Sequence, residues 1–172
     1  MSKKKRLVPC VLAAVCGLVL LAGCGKQNPD AFITLVVVQD PSESIKLGMG
    51  RDDMTFDAPN TANVFNDTDC GMKRKWANGN DFTNLVSVTL VAAVFRTAEG
   101  ISLNSAKADI LPAYQKESGV TVLQNDDSKL ILGKQLGGTN YTTTFRFYPD
   151  GTIKTITLTN TDLYTEDEAD YQ

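Results

Sequence analysis

The chain has 172 residues, the length of about one domain, with 17 Lys and Arg, 20 Asp and Glu, and a formal net charge of −3. Residues 1–23 carry four of the basic residues and no acidic one, so residues 24–172 hold 13 basic and 20 acidic side chains, a net charge of −7. An acidic body argues against a nucleic-acid partner, and the lack of histidine excludes Ser-His-Asp triads, Cys-His pairs and histidine zinc sites.

The N-terminal segment has the layout of an export signal. A basic start, Lys3–Arg6, precedes an apolar run from Leu7 to Ala22, which is typical of a secretory signal peptide. The alternative is a membrane-spanning anchor, which needs about 20 apolar residues. This run has 16 and carries Pro9 near its start, so the pattern favours the signal peptide.

The apolar run ends in a tetrapeptide that resembles the lipobox of bacterial lipoproteins: Leu21, Ala22, Gly23 and Cys24. The resemblance implies that residues 1–23 are a removed signal peptide and that the three residues before Cys24 form the signal-peptidase recognition site. It also implies that the Cys24 thiol carries a diacylglyceryl group with palmitate-like acyl chains, the one covalent lipid expected here. The alternative is a chance cysteine behind an ordinary signal peptide.

Lipidation of Cys24 would determine where the protein is located and which cysteine keeps a free thiol. Two acyl chains on one residue anchor a protein stably, since each buried CH₂ contributes about 0.8 kcal/mol. The resemblance therefore implies an exported protein on the outer face of the cell membrane, or on the outer membrane of a Gram-negative host. Cys70 would then be the other cysteine of the mature chain, either a thiol activated by residues 73–75 or, as we favour, an ordinary loop thiol.

The mature chain divides into three predicted parts. Residues 24–43 form a lipid-anchored tether and a leading strand, Ala31–Gln39, whose β-branched composition indicates burial. Residues 44–162 form the folded domain. Residues 163–172 form an acidic tail, which we expect to be solvated from Thr165 onward.

The folded domain contains an internal repeat. Ile45–Met54 aligns with Ile101–Ile110, and each segment is predicted to begin extended, to turn at Gly48 or Asn104, and then to enter a helix. Pro112 should kink or break the second helix. Hairpins follow at residues 74–90 and 146–158, and their alternation of apolar and Thr-rich positions is typical of an antiparallel sheet covered on one side. The predicted fold is therefore α+β: two degenerate helix-plus-β-hairpin repeats, with an antiparallel sheet covered on one face by short helices.

Three segments together resemble a known family: Ile45–Met54, Thr97–Tyr114 and Phe145–Gly151. They are similar to the tandem-repeat domains of β-lactamase-inhibitor-protein-like lipoproteins, and to the single unit of outer-membrane assembly lipoproteins of the SmpA/OmlA type. The resemblance covers residues 44–160. It implies a helix-loop-helix packed on an antiparallel sheet, acting in binding or envelope assembly without catalysis.

These observations favour a non-catalytic module that binds an unidentified envelope protein, with the membrane contacted through the N-terminal lipid and no nucleic acid as partner. The exposed sheet face supplies the possible contacts: Thr142, Thr144, Arg146 and Tyr148. The alternative for these residues is an ordinary solvated strand face, because Thr is a good strand former. The alternative function is a small-ligand carrier or sensor, in which a pocket would lie between the sheet and the helices.

An enzyme is the least favoured function. The adjacent carboxylates Asp52–Asp53 and Asp126–Asp127 would point to opposite faces of a strand, so they suit turns better than shared acid–base chemistry. Leu136–Thr139 is a turn between strands that lacks the lysine of a phosphate-binding loop. We therefore predict no catalytic residues, no metal site and no cofactor other than the lipid.

Overall fold

The computed structural model describes residues 28–53, 71–77 and 82–166. Within them the chain forms nine strands, one α-helix and two short 3-10 turns. The strands are β1 (Thr34–Val37), β2 (Ser44–Lys46), β3 (Met72–Trp76), β4 (Leu85–Leu90), β5 (Phe95–Thr97), β6 (Thr121–Asn125), β7 (Lys129–Leu136), β8 (Thr139–Phe147) and β9 (Ile153–Asn160). The helix α1 is Lys107–Tyr114, and the 3-10 turns are Ala31–Ile33 and Arg51–Asp53.

The strands form two antiparallel sheets. The larger sheet has the order β3-β4-β9-β8-β7-β6, and the smaller has the order β2-β1-β5. Strands β6 to β9 follow one another as a meander, so their pairing is local in the sequence. Strand β1 instead pairs with β5, far along the chain, with Leu35 opposite Thr97.

Tight turns join the meander strands where the sequence supplies suitable residues. Gly137 and Gly138 both have positive φ, at 58° and 90°, between β7 and β8. Between β8 and β9, the Asp150 carboxylate accepts hydrogen bonds from the backbone N–H and hydroxyl of Thr152, and Gly151 has φ 83°. Glycine adopts such angles without a steric penalty. Both turns confirm the sequence prediction.

The core lies between the larger sheet and a second layer made by the smaller sheet, the first 3-10 turn and α1. Three aromatic rings join these elements. Phe32 of the 3-10 turn lies edge-on to Tyr114 of α1 at 5.9 Å, and Tyr114 lies edge-on to Phe145 of β8 at 5.8 Å. Edge-to-face pairs at this spacing add to the stabilisation from burial. The core thus holds both layers together as one unit.

The predicted fold class is wrong. The described residues form nine strands in two antiparallel sheets and a single α-helix, and not two helix-plus-hairpin repeats with a covering layer of helices. The two segments aligned as repeats fold differently. Ile45 lies in β2 opposite Leu35, whereas Ile101 follows β5 and its carbonyl accepts the Thr97 N–H.

The helix expected in the first repeat is a 3-10 turn over Arg51–Asp53. In the second, α1 spans eight residues and contains Pro112 near its end. A proline in a helix interior removes a hydrogen bond and crowds the preceding turn, which is consistent with a short helix.

The predicted leading strand belongs to this same core. The segment Ala31–Gln39 opens with the 3-10 turn, and only Thr34–Val37 is strand. Phe32, Ile33 and Leu35 are all buried in the common cluster with residues of the larger sheet. Among the described helices, none has the length and apolar character needed to cross a membrane.

Candidate binding site

One face of the larger sheet carries a row of short hydroxyl side chains, which we call the threonine face: Ser87, Thr89, Thr142, Thr144, Thr155, Thr157 and Thr159. The register places Thr157 of β9 between Thr89 of β4 and Thr144 of β8. Hydroxyls pair across β4 and β9, with Thr89 and Thr157 Oγ1 atoms 3.0 Å apart. Such pairs satisfy polar groups on a face that is largely buried.

The chain reverses after β9 and runs back over this face. Asp162 fixes the reversal, because its carboxylate accepts hydrogen bonds from the Asn140 backbone N–H and side-chain amide, both at 2.9 Å. These bonds lower the pKa of the Asp162 carboxyl. The N–H groups of Leu163 and Tyr164 then donate to the Asn160 carbonyl. Residues 161–166 are therefore directed back onto the sheet.

A groove of about 380 Å³ lies between this returning segment and strands β6 to β8; we call it the C-terminal groove. Its volume lies at the low end of the range of small-ligand sites, roughly 300–1,000 Å³. Its lining mixes hydroxyls, cations, apolar groups and one carboxylate: Leu123, Gln124, Lys129, Ile131, Thr142, Thr144, Arg146, Thr161, Tyr164, Thr165 and Glu166.

A β-bulge in β6 shapes one side of the groove. Val122 pairs with Leu132 and Gln124 pairs with Ile131, so Leu123 is an extra residue in the strand. The Leu123 side chain lies over Gly133, where a Cβ atom would come within 2.8 Å of its Cδ1. The glycine leaves space for Leu123 to fold over the sheet, which gives the groove an apolar wall.

The Glu166 carboxylate binds polar groups of the sheet inside the groove. Thr159 donates its hydroxyl to Glu166 Oε1 at 2.7 Å, and Thr144 donates to the same oxygen at 3.4 Å. Arg146 Nη2 lies 3.7 Å from Glu166 Oε2, and the two side chains are only 12% and 17% exposed. Lys129 pairs with Arg146 in the register of β7 and β8 and also lines the groove, so it adds a second positive charge to the site.

Three of the four predicted contact residues line this groove. Thr142, Thr144 and Arg146 do so, and the burial of Thr144 shows that it is not part of an ordinary solvated strand face. Tyr148 does not line it; it follows β8 and is 49% exposed. The predicted solvated tail is wrong at Glu166, which binds the sheet.

The other predicted residues fall into two groups. The predicted lipobox and the second cysteine of the mature chain lie outside the described residues: Leu21, Ala22, Gly23, Cys24 and Cys70. The carboxylate pairs lie in turns, as expected. Asp126 accepts hydrogen bonds from the backbone of Ser128 and Lys129 between β6 and β7, and Asp53 accepts one from the Gly50 N–H. No group of three His, Cys, Asp or Glu suited to a metal ion occurs within the described ranges.

A second polar cluster lies in the core, on the opposite face of the sheet. Both carboxylate oxygens of Glu99 are buried there and form no hydrogen bond of good geometry with described residues. Burial raises the pKa of the Glu99 carboxyl above its ordinary value of 4.5, and the charge of Glu117 adds to this effect. The Glu99 backbone N–H and then the nearby hydroxyls of Thr97 and Tyr114 partly offset it. Glu117 itself forms a buried ion pair with Lys134 at 2.6 Å.

We expect Glu99→Gln to stabilise the protein at neutral pH by roughly 1 kcal/mol, because a neutral amide avoids the cost of a buried charge. The raised pKa means that the folded chain binds the proton more tightly than the unfolded chain. The contribution of Glu99 to stability is therefore complete below the unfolded pKa and is lost as the pH rises through the folded pKa. Urea unfolding from acidic to neutral pH measures this difference between the wild-type and variant curves.

The matched control is Asp127→Asn, which removes an exposed carboxylate and should change stability by less than about 0.5 kcal/mol. A Glu99→Gln chain less stable than the wild type at neutral pH would contradict the prediction. It would mean that hydrogen bonds to the charged carboxylate outweigh the cost of its burial.

Comparison of the chain with protein-family models, curated proteins and solved structures gives no match.

Proposed function

We propose that this chain is a membrane-anchored extracytoplasmic lipoprotein whose folded domain is a non-catalytic module for protein binding or envelope assembly. The resemblance of Leu21–Cys24 to a lipobox supports the anchor. The observation that supports binding is the C-terminal groove, which gathers Thr142, Thr144 and Arg146 with an apolar wall and a returning segment.

The composition of the groove suits a peptide segment. Hydroxyl and guanidinium donors can fix polar groups of a partner, while Leu123 and Ile131 offer apolar contact beside them. Adjacent to the groove, β6 is an edge strand of the larger sheet with Val122 and Leu123 exposed. Mixed apolar and polar contacts of this kind are typical of protein interfaces.

Photo-crosslinking in intact cells tests this proposal. A photoreactive residue placed at Gln124, which lines the groove, should give one abundant adduct with an envelope protein. The matched control is the same residue at Ser42, an exposed position between β1 and β2. Arg146→Glu should weaken the Gln124 adduct by at least about tenfold, since hydrogen bonds to charged groups contribute about 1.5–3 kcal/mol.

The proposal fails if Gln124 and Ser42 give the same adducts, or if neither gives any. The volume of the groove also favours a second function, a small-ligand carrier or sensor. Native mass spectrometry of the purified chain separates the two, because a carrier should show a ligand-bound mass that Arg146→Glu removes.

A further inference from the structure

The Glu166 carboxylate marks a subsite within the C-terminal groove. Two hydroxyls, from Thr159 and Thr144, donate to one of its oxygens, and the Arg146 guanidinium lies beside the other. Lys129 adds a second positive charge opposite Arg146. This combination of donors and cations recognises a carboxylate by both geometry and charge.

The segment that delivers Glu166 is not paired as a strand, unlike the residues that form the subsite. Among the described residues, its last main-chain hydrogen bond runs from the Tyr164 N–H to the Asn160 carbonyl. Leu163 is 56% exposed and Thr165 is also exposed, so neither anchors the segment by burial. The donors of the subsite, in contrast, belong to paired strands of the larger sheet. Release of Glu166 would therefore leave a preformed site.

We infer that the C-terminal groove binds an acidic, extended peptide segment of its partner, and that Glu166 occupies the carboxylate subsite until that segment displaces it. This inference rests on the proposed binding function. Charge complementarity with Arg146 and Lys129 selects the acidic group, and the neighbouring wall of Leu123 and Ile131 accepts an apolar side chain next to it. The returning segment thus acts as an internal competitor.

A peptide with the sequence of residues 163–172 is a suitable probe, because it carries the same carboxylate in its native context. Its binding to the full chain, purified in detergent, is followed by fluorescence anisotropy. We expect Glu166→Ala to bind the probe at least about tenfold more tightly than the wild type, since the internal competitor is removed. Adding Arg146→Gln to this variant should weaken the binding by about tenfold.

Two controls keep the test specific. A probe with Gln in place of its residue-166 Glu should bind about tenfold more weakly. Thr144→Val in the Glu166→Ala chain removes a donor while keeping the shape of the side chain, so it should also weaken binding if the fold is retained. Circular dichroism on heating shows whether each variant is folded.

The inference is overturned if Glu166→Ala and the wild type bind the probe with equal affinity. It is also overturned if neither Arg146→Gln nor the Gln-substituted probe changes the affinity. These results are distinguishable from failure of the proposed function. If Gln124 crosslinks to a partner in cells but the acidic probe does not bind, the proposed binding function is retained and the proposed carboxylate subsite is rejected. If Gln124 gives no specific adduct, the proposed function falls whatever the probe does.

Discussion

The Cys24→Ala variant is expected to lose its covalent lipid completely and to remain uncleaved. Alanine has no thiol to accept the diacylglyceryl group. Leu21–Cys24 resembles a lipobox, and in the processing of bacterial lipoproteins the signal peptide is cleaved only after the cysteine has been lipidated. The variant should therefore retain residues 1–23 and carry no lipid. Intact mass spectrometry measures both changes, because the retained residues 1–23 add mass and the missing diacylglyceryl group removes it.

Cys70→Ala is the matched control for this experiment, because it removes the cysteine expected to share the mature chain with Cys24. This control should be cleaved, lipidated and recovered with membranes like the wild type. Normal cleavage and membrane retention of Cys24→Ala would contradict the lipobox interpretation. It would indicate an ordinary signal peptide followed by a chance cysteine.

Phe145→Ala should produce the largest loss of stability among single substitutions in the sheet. Phe145 is fully buried in β8, lies between Leu130 and Ile156 in the register, and contacts the Tyr114 ring from the opposite layer. Truncation of a buried Phe leaves a cavity and costs about 3–5 kcal/mol. That is a large fraction of the total stability of a typical domain, about 5–15 kcal/mol.

Urea unfolding measures this loss as a lower midpoint at an unchanged slope. The matched control, Tyr148→Ala, removes a half-exposed aromatic ring three positions along the same segment and should cost less than about 0.5 kcal/mol. Similar losses for the two variants would contradict the placement of the core between the sheet and the layer containing α1.

Local pattern predicted the hairpins but not the second layer. The alternation in residues 139–160 and the turn signal at Pro149–Gly151 are properties of neighbouring residues, and the structure has β8 and β9 where these signals place them. The pairing of β1 with β5 joins distant segments, and nothing in either sequence specifies its partner. In Ile45–Met54 the predicted extended start is strand β2, but where a helix is predicted the described residues form only the 3-10 turn Arg51–Asp53.

The candidate binding site was predictable from the sequence to the same extent as the fold. Thr142, Thr144 and Arg146 share a face because of strand alternation, which the sequence displays directly. Glu166 follows β9 in an acidic stretch, and such a stretch has the same composition whether it is solvated or folded back. The Asp162–Asn140 contact that turns the chain joins two hairpin ends, so local pattern gave no sign of it.

The bulge at Leu123 also affects how the larger sheet meets its surroundings. Within the described residues, no strand pairs with the outer edge of β6, and exposed apolar residues such as Val122 make a regular edge prone to association. The extra residue breaks the two-residue repeat of the strand halfway along, so a straight strand from another molecule cannot match its hydrogen bonds on both sides of Leu123. The same residue that forms the apolar wall of the groove thereby limits edge-to-edge pairing between neighbouring copies of the chain.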